Sequence, residues 1–162
     1  LPHAHDEQKE IILTRLIELC SLRGQLKSAE KYILALKKII PSKQHGPILL
    51  NEAKTMNLAG RYSDAVRCLE QSSKYELAPT DMVQRQAALA EANYQLGLLE
   101  EAKEAGVKGL KILEQYAVDS SAHRNVELVN LLGKIALAEE SYNYAIELFE
   151  QTLHLAQEKK LV

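Results

Sequence analysis

The sequence has no tryptophan and a single phenylalanine, and only four prolines and seven glycines in 162 residues. Breakers this sparse leave long stretches with nothing to interrupt a helix, which argues against a turn-rich β-fold. No apolar run approaches the ~20 residues of a membrane span, and no secretory signal is visible. Charge of one sign is also lacking: 20 basic residues face 22 acidic ones, a formal charge of −2. A chain so balanced has no polycationic surface of the kind that drives binding to nucleic-acid phosphates. There are two cysteines, Cys20 and Cys68. Both fall on apolar helix faces, which reads as reduced, buried thiols and an intracellular setting, cytoplasmic or nuclear. The chain opens Leu1-Pro2 and stops directly after a helical pattern, which reads as a fragment of a longer protein.

What is present is helical periodicity. Hydrophobic residues make up 46 % and charged residues 26 % of the chain, ordinary values for a globular protein with a sizeable core. Leu128, Val129, Leu131, Leu132, Ile135 and Ala136 recur at helical spacing, as do Tyr142, Ala145, Ile146, Phe149, Leu153 and Ala156. A short polar joint, Glu139-Glu140-Ser141, makes these two segments an antiparallel hairpin. Six further helices are expected over 8–22, 28–40, 45–58, 63–75, 82–96 and 100–118. The first carries Ile11, Ile12, Leu16, Leu19, Cys20 and Leu22 as its apolar side, and residues 1–6 before it form a polar tail. Pro41 and the Leu77-Ala-Pro-Thr-Asp81 segment interrupt the ladder, with Thr80 or Asp81 placed to cap the fifth helix. Asp119-Ser-Ser121 is a third break.

A period runs through these helices. Gly24, Gly60 and Gly97 each precede an alanine by five residues, and in the last hairpin the matching pair is Glu140 and Ala145. The alanines Ala29, Ala65, Ala102 and Ala145 recur at intervals of 36, 37 and 43 residues. Such a repeat marks stacked helical hairpins. The glycine supplies a positive φ for the sharp turn, and the alanine sits where the two helices cross, so that a larger side chain would wedge them apart. A bulky residue two places after the turn (Leu26, Tyr62, Leu99, Tyr142) fills the space beside the crossing. Gly106 and Gly109, on one helix face with Ala102 and Ala105, are placed to let another helix approach closely.

This pattern resembles the tetratricopeptide repeat over about residues 10 to 158. The first hairpin offers Leu16, Gly24, Leu26, Ala29, Ile33 and Pro41. The second offers Ala53, Gly60, Tyr62, Ala65 and Leu69. The third offers Leu89, Ala90, Gly97, Leu99 and Ala102, and the fourth Leu132, Gly133, Tyr142, Ala145 and Phe149. Departures exist. The early tryptophan of the family is replaced by Leu13, Leu49, Gln86 and Val129, Gly106 stands where a bulky residue is expected, and the fourth turn has no glycine.

The resemblance implies an all-α fold: a right-handed superhelix of stacked antiparallel hairpins, about eight helices, forming one domain over 1–162 with repeats near 8–41, 45–78, 80–118 and 121–158. It implies a scaffold without enzymatic activity or cofactor that holds another protein's extended peptide or helix in its concave groove, as part of a larger assembly. By the family's geometry the groove positions are Leu50, Lys54 and Asn57 in the second hairpin, Ala87, Glu91 and Tyr94 in the third, and Asn130, Lys134 and Leu137 in the fourth, with Asn51 beside them. Asparagine both donates and accepts, so Asn51, Asn57 and Asn130 suit a peptide backbone, and Lys54 and Lys134 suit acidic groups. The clamp by which some family members hold a chaperone's terminal carboxylate is not reproduced, since Thr14 and Glu18 occupy its first-hairpin positions.

Two other readings compete. The last helix, 142–157, keeps apolar residues that a missing next hairpin would cover, and an exposed stripe of this size points to self-association. An RNA-binding helical repeat has a similar period but calls for a basic groove, whereas here Lys54 and Lys134 mix with Glu91 and Glu127. The histidine pair His3 and His5 lacks a third metal ligand nearby, and no nucleophile–base–acid arrangement assembles from His45, His123 or His154.

Overall fold

The computed structural model describes the backbone of residues 2–116 and 121–158, and the side chains of residues 7–116 and 124–157. Among them are eight α-helices and no strand: α1 (Pro2–Leu22), α2 (Leu26–Ile39), α3 (Gly46–Leu58), α4 (Tyr62–Ser72), α5 (Pro79–Gln95), α6 (Leu99–Tyr116), α7 (Ser121–Ala138) and α8 (Tyr142–Glu158), with a short 3₁₀ turn at Ser42–Gln44. The expected ends at Val118 and Asp119-Ser120, and the side chains of His3, His5 and His123, lie outside the described residues. The chain divides into two compact units, Leu1–Leu77 and Ala78–Val162, at the proline-containing break. Each follows one plan. In the first, α1 pairs with α2 and α3 with α4, and α3 packs on both α1 and α2. In the second, α5 pairs with α6 and α7 with α8, and α7 packs on both α5 and α6.

Four turns close the pairs in the same way. Gly24, Gly60 and Gly97 adopt φ of 68°, 72° and 77°, and Glu140 adopts φ of 59°. After each comes a backbone N–H that reaches five residues back into the preceding helix: Gln25 to the Cys20 carbonyl at 2.8 Å, Arg61 to Met56 at 2.9 Å, Leu98 to Asn93 at 2.9 Å and Ser141 to Ala136 at 2.9 Å. This is the Schellman closure, in which a left-handed residue lets the terminal carbonyls find donors. A Cβ at any of the three glycines would meet open space, so φ alone demands glycine there. Glu140 holds the same conformation with a side chain attached, which strains the backbone by about 1–2 kcal/mol. Glu140→Gly is therefore expected to stabilise the chain by about 1 kcal/mol, less than the full strain because glycine also loosens the unfolded state. Urea unfolding of the two proteins side by side tests this, and a glycine variant that is less stable refutes it.

Directly after each turn an alanine is shut away between the paired helices: Ala29, Ala65, Ala102 and Ala145 are all buried. The contact between hairpins uses the same economy of size. On α6, Ala105, Gly106 and Gly109 are buried along one face. A Cβ at Gly106 would lie 2.9 Å from Leu132 Cδ2, and one at Gly109 would lie 2.9 Å from Leu128 Cδ1. Leucines of α7 thus occupy the volume that α6 gives up, which accounts for the missing bulky residue at 106. Gly133 does the same for α8, with the Phe149 ring 2.8 Å from where its Cβ would be. Within α7 the six apolar positions picked out by period are all buried.

Several expectations are corrected. On α1 the inward residues are Leu13, Ile17, Cys20 and Ser21, while Ile11, Ile12, Leu19 and Leu22 are exposed. Residues 11–22 are apolar on nearly every side, so their period does not select a face. On α8 the inward set is Ala145 and Leu148, with Phe149 and Ala156 half-buried, and Tyr142, Ile146 and Leu153 are exposed. Residues 2–6 continue α1 rather than forming a tail, because Pro2 is tolerated in a first turn and no breaker follows. The fifth helix starts with Ala78 at the N-cap and Pro79 inside, and neither Thr80 nor Asp81 caps it. Asp81 sits in the first turn instead, where burial pushes its carboxyl pKa up. The two cysteines are free thiols, Cys20 buried as expected and Cys68 only half-buried. Burial, with some help from Glu52, pushes the Cys68 thiol up.

Candidate interaction surface

Within the first unit, α1 and α3 come together over a buried pair of hydroxyls. Ser21 Oγ and Thr55 Oγ1 are 2.8 Å apart. Each also lies close to the carbonyl four residues back on its own helix, Ser21 to Ile17 at 2.7 Å and Thr55 to Asn51 at 2.9 Å. Two hydroxyl protons serve three contacts, so one hydroxyl donates to the other, which in turn donates to its helix. That pins two first helices at one level. Both groups are buried, where an unmade hydrogen bond would cost about 1–3 kcal/mol.

Beside this pair opens a cleft of about 190 Å³, lined by Ile17, Glu18, Ser21 and Leu22 from α1 and Asn51, Lys54, Thr55 and Leu58 from α3. Its walls are aliphatic. Its polar groups are two hydroxyls, one primary amide, one carboxylate and one ammonium. Glu18 is engaged by Arg15 at 2.9 Å on the outer side, and Lys54 is exposed. The size is below the roughly 300–1,000 Å³ of small-molecule sites and suits one or two side chains of a longer ligand. A second hollow of about 400 Å³ is lined by Glu140, Ser141, Tyr142, Asn143 and Tyr144. These are consecutive residues of one turn, with no second element to hold a ligand.

Of the residues assigned to a groove from sequence, Asn51 and Lys54 line the cleft together. Leu50 does not face a ligand: it is 2 % exposed. It belongs to the buried run Ile48-Leu49-Leu50, so three successive residues of α3 point into protein and the side assigned by register is already occupied. Asn57 is half-buried on the same helix but is not a wall of the cleft. The remaining four belong to the second unit. Glu91 on α5 accepts a hydrogen bond from Gln95 Nε2 at 2.8 Å. Tyr94 packs against the core cluster containing Ala90, Val129 and Ile135, which makes it partly structural. Asn130 is half-buried and Lys134 exposed on α7, the helix that packs on α5. Sequence reasoning missed Ser21, Leu22 and Leu58. A serine embedded in the apolar run of α1 was the available signal, since a hydroxyl there needs a partner from another helix.

Ion pairs brace the hairpins inside each unit. Lys37 of α2 meets Glu52 of α3 at 2.5 Å, with both side chains largely covered. Glu30 of α2 meets Arg61 at 2.8 Å. Lys103 of α6 meets Glu139 at 3.0 Å, just past the end of α7, and this carboxylate raises the Lys103 pKa. Among the described residues no group of three His, Cys, Asp or Glu could hold a metal ion, and no helix is long and apolar enough to cross a membrane. No family model matches this chain, and neither a curated protein nor a solved structure was found to be similar to it.

Proposed function

We propose that the chain is a non-enzymatic protein-interaction scaffold of tetratricopeptide type, its hairpins continuing as a right-handed solenoid and its first helices receiving an extended peptide of another protein. The observation that carries this reading is the cleft between α1 and α3, where an amide and an ammonium flank an aliphatic slot sized for side chains. Asn51 would hold the peptide main chain and Lys54 an acidic side chain, with Ile17, Leu22 and Leu58 covering an apolar one. The four even turns and the buried alanines support the repeat assignment, and the two free thiols suit an intracellular setting.

The test is selection of peptides from a displayed random library on the whole chain, followed by affinity measurement on the Asn51→Ala/Lys54→Ala double variant. Both side chains are partly or fully exposed, so the fold should tolerate their loss. Peptides enriched in acidic and aliphatic residues are expected, with affinity falling at least ~10-fold in the variant, the ~1.4 kcal/mol expected when a contact residue is truncated. Selected peptides that bind the variant equally well would overturn the site.

A further inference from the structure

The two ends of the chain carry matching halves of a junction that the structure already builds twice. Counting from the turn residues Gly24, Gly60, Gly97 and Glu140 puts every hairpin in one register. In that register Tyr142, Ile146, Phe149 and Leu153 of α8 correspond to Leu99, Lys103, Gly106 and Leu110 of α6, and to Leu26, Glu30, Ile33 and Lys37 of α2. On α6 this row is covered by the following first helix: Gly106 lies under Leu132 of α7, and Lys103 is bound by Glu139. On α2 it is likewise engaged, Lys37 by Glu52 of α3 and Glu30 by Arg61. On α8 Phe149 is half-buried against Gly133 of its own hairpin, and the other three positions of the row are exposed. Ile146 is 55 % and Leu153 54 % exposed, and both are apolar where α2 carries charge.

The complementary half lies on α1. Ile12 and Leu19 correspond to Ile48 and Thr55 of α3 and to Leu128 and Ile135 of α7, all four of them buried. Ile48 shares a core cluster with Ile33 and Leu36 of α2, and Leu128 sits on Gly109 of α6. On α1 the same positions are exposed, each by 58 %. Charge matches as well. Lys9 and Arg23 extend the Ile12–Leu19 row at either end, whereas Glu147 and Glu150 are the exposed charges next to the α8 row.

We infer that the α8 face of one molecule receives the α1 face of a second copy, head to tail, repeating the α2–α3 and α6–α7 junctions between chains. Pairing of α8 with α8 would bring Glu147 and Glu150 against themselves, which opposes the symmetric alternative. A junction of two single helix faces is small, which places the association in the micromolar range or weaker. Being heterologous, it leaves a free face at each end, so growth does not stop at a dimer.

Sedimentation of the full chain from about 10 µM to 1 mM should show an average mass that rises continuously with concentration and passes that of a dimer. Ile146→Glu/Leu153→Glu and Ile12→Glu/Leu19→Glu alter exposed positions only, and circular dichroism should show both variants fully helical. Each is expected to be monomeric alone. Mixed, they should form a dimer and nothing larger, because each retains one intact half. Overturning results are a wild-type chain that stays monomeric throughout, an α1 variant that dimerises by itself (which indicates α8–α8 pairing), or a mixture that stays monomeric.

Discussion

Replacing Gly109 by leucine is expected to destabilise the chain by about 3 kcal/mol, at the upper end of what overpacking a core costs. The position has neighbours on two sides. A Cβ alone would stand 2.9 and 3.2 Å from the two methyls of Leu128 and 3.3 Å from Gln86 Cβ. Leu128 is fully buried in a cluster with Val83 and Leu113, so it has no solvent to retreat into. Gln86 contributes the root of its side chain, which moves only if α5 moves. Gly109→Ala is the informative companion. Alanine gains about 1 kcal/mol of helix propensity over glycine, which offsets part of the crowding and should leave the net change near zero. Trimming the obstacle should rescue the leucine: Gly109→Leu/Leu128→Ala is expected to be more stable than the sum of its parts, a coupling of at least ~1 kcal/mol. Urea midpoints of the four proteins measure it. Strict additivity would mean that α6 and α7 do not meet at this point.

Ala65→Trp should cost more than ~2 kcal/mol in the other unit, by the same physics applied inside a hairpin. Ala65 is fully buried in the first turn of α4, and its N–H is already bonded to the Arg61 carbonyl at 3.0 Å. Only the Gly60 turn links α3 and α4, and the Arg61 N–H to Met56 bond at 2.9 Å ties that turn to α3. The crossing therefore has no hinge along which to widen without giving up its closing hydrogen bonds. Val66→Trp one residue on is the control. Val66 is only half-buried, and a ring there can lie along the surface, at a cost within about 1 kcal/mol. Equal melting behaviour of Ala65→Trp and the unaltered chain would refute the close crossing.

How much of this was legible in the sequence can be judged residue by residue. The turn register was fully legible, including the equivalence of Glu140 to the three glycines. A left-handed turn followed five residues on by a buried alanine is a local rule, and local rules are written in neighbouring residues. The close approach at Gly106 and Gly109 was legible for the same reason, since small residues on one helix face have few uses. The inward faces of α1 and α8 were misread in part. Both helices carry apolar residues on more than one side, and periodicity cannot rank two apolar faces. The groove was legible only as a set of register positions: Asn51 and Lys54 line the cleft, and Leu50 is buried.

By itself, then, the amino-acid order determined the helices, their pairing and the four turns, because each depends on contacts within about forty residues of chain. Tertiary structure alone decided the rest. Which apolar face of α1 turns inward depends on α2 and α3 arriving against it. Ser21 becomes a wall of a cleft only because Thr55, far along the chain, stands 2.8 Å away. Burial is a property of what packs from outside, and a helix cannot announce its neighbours from its own residues.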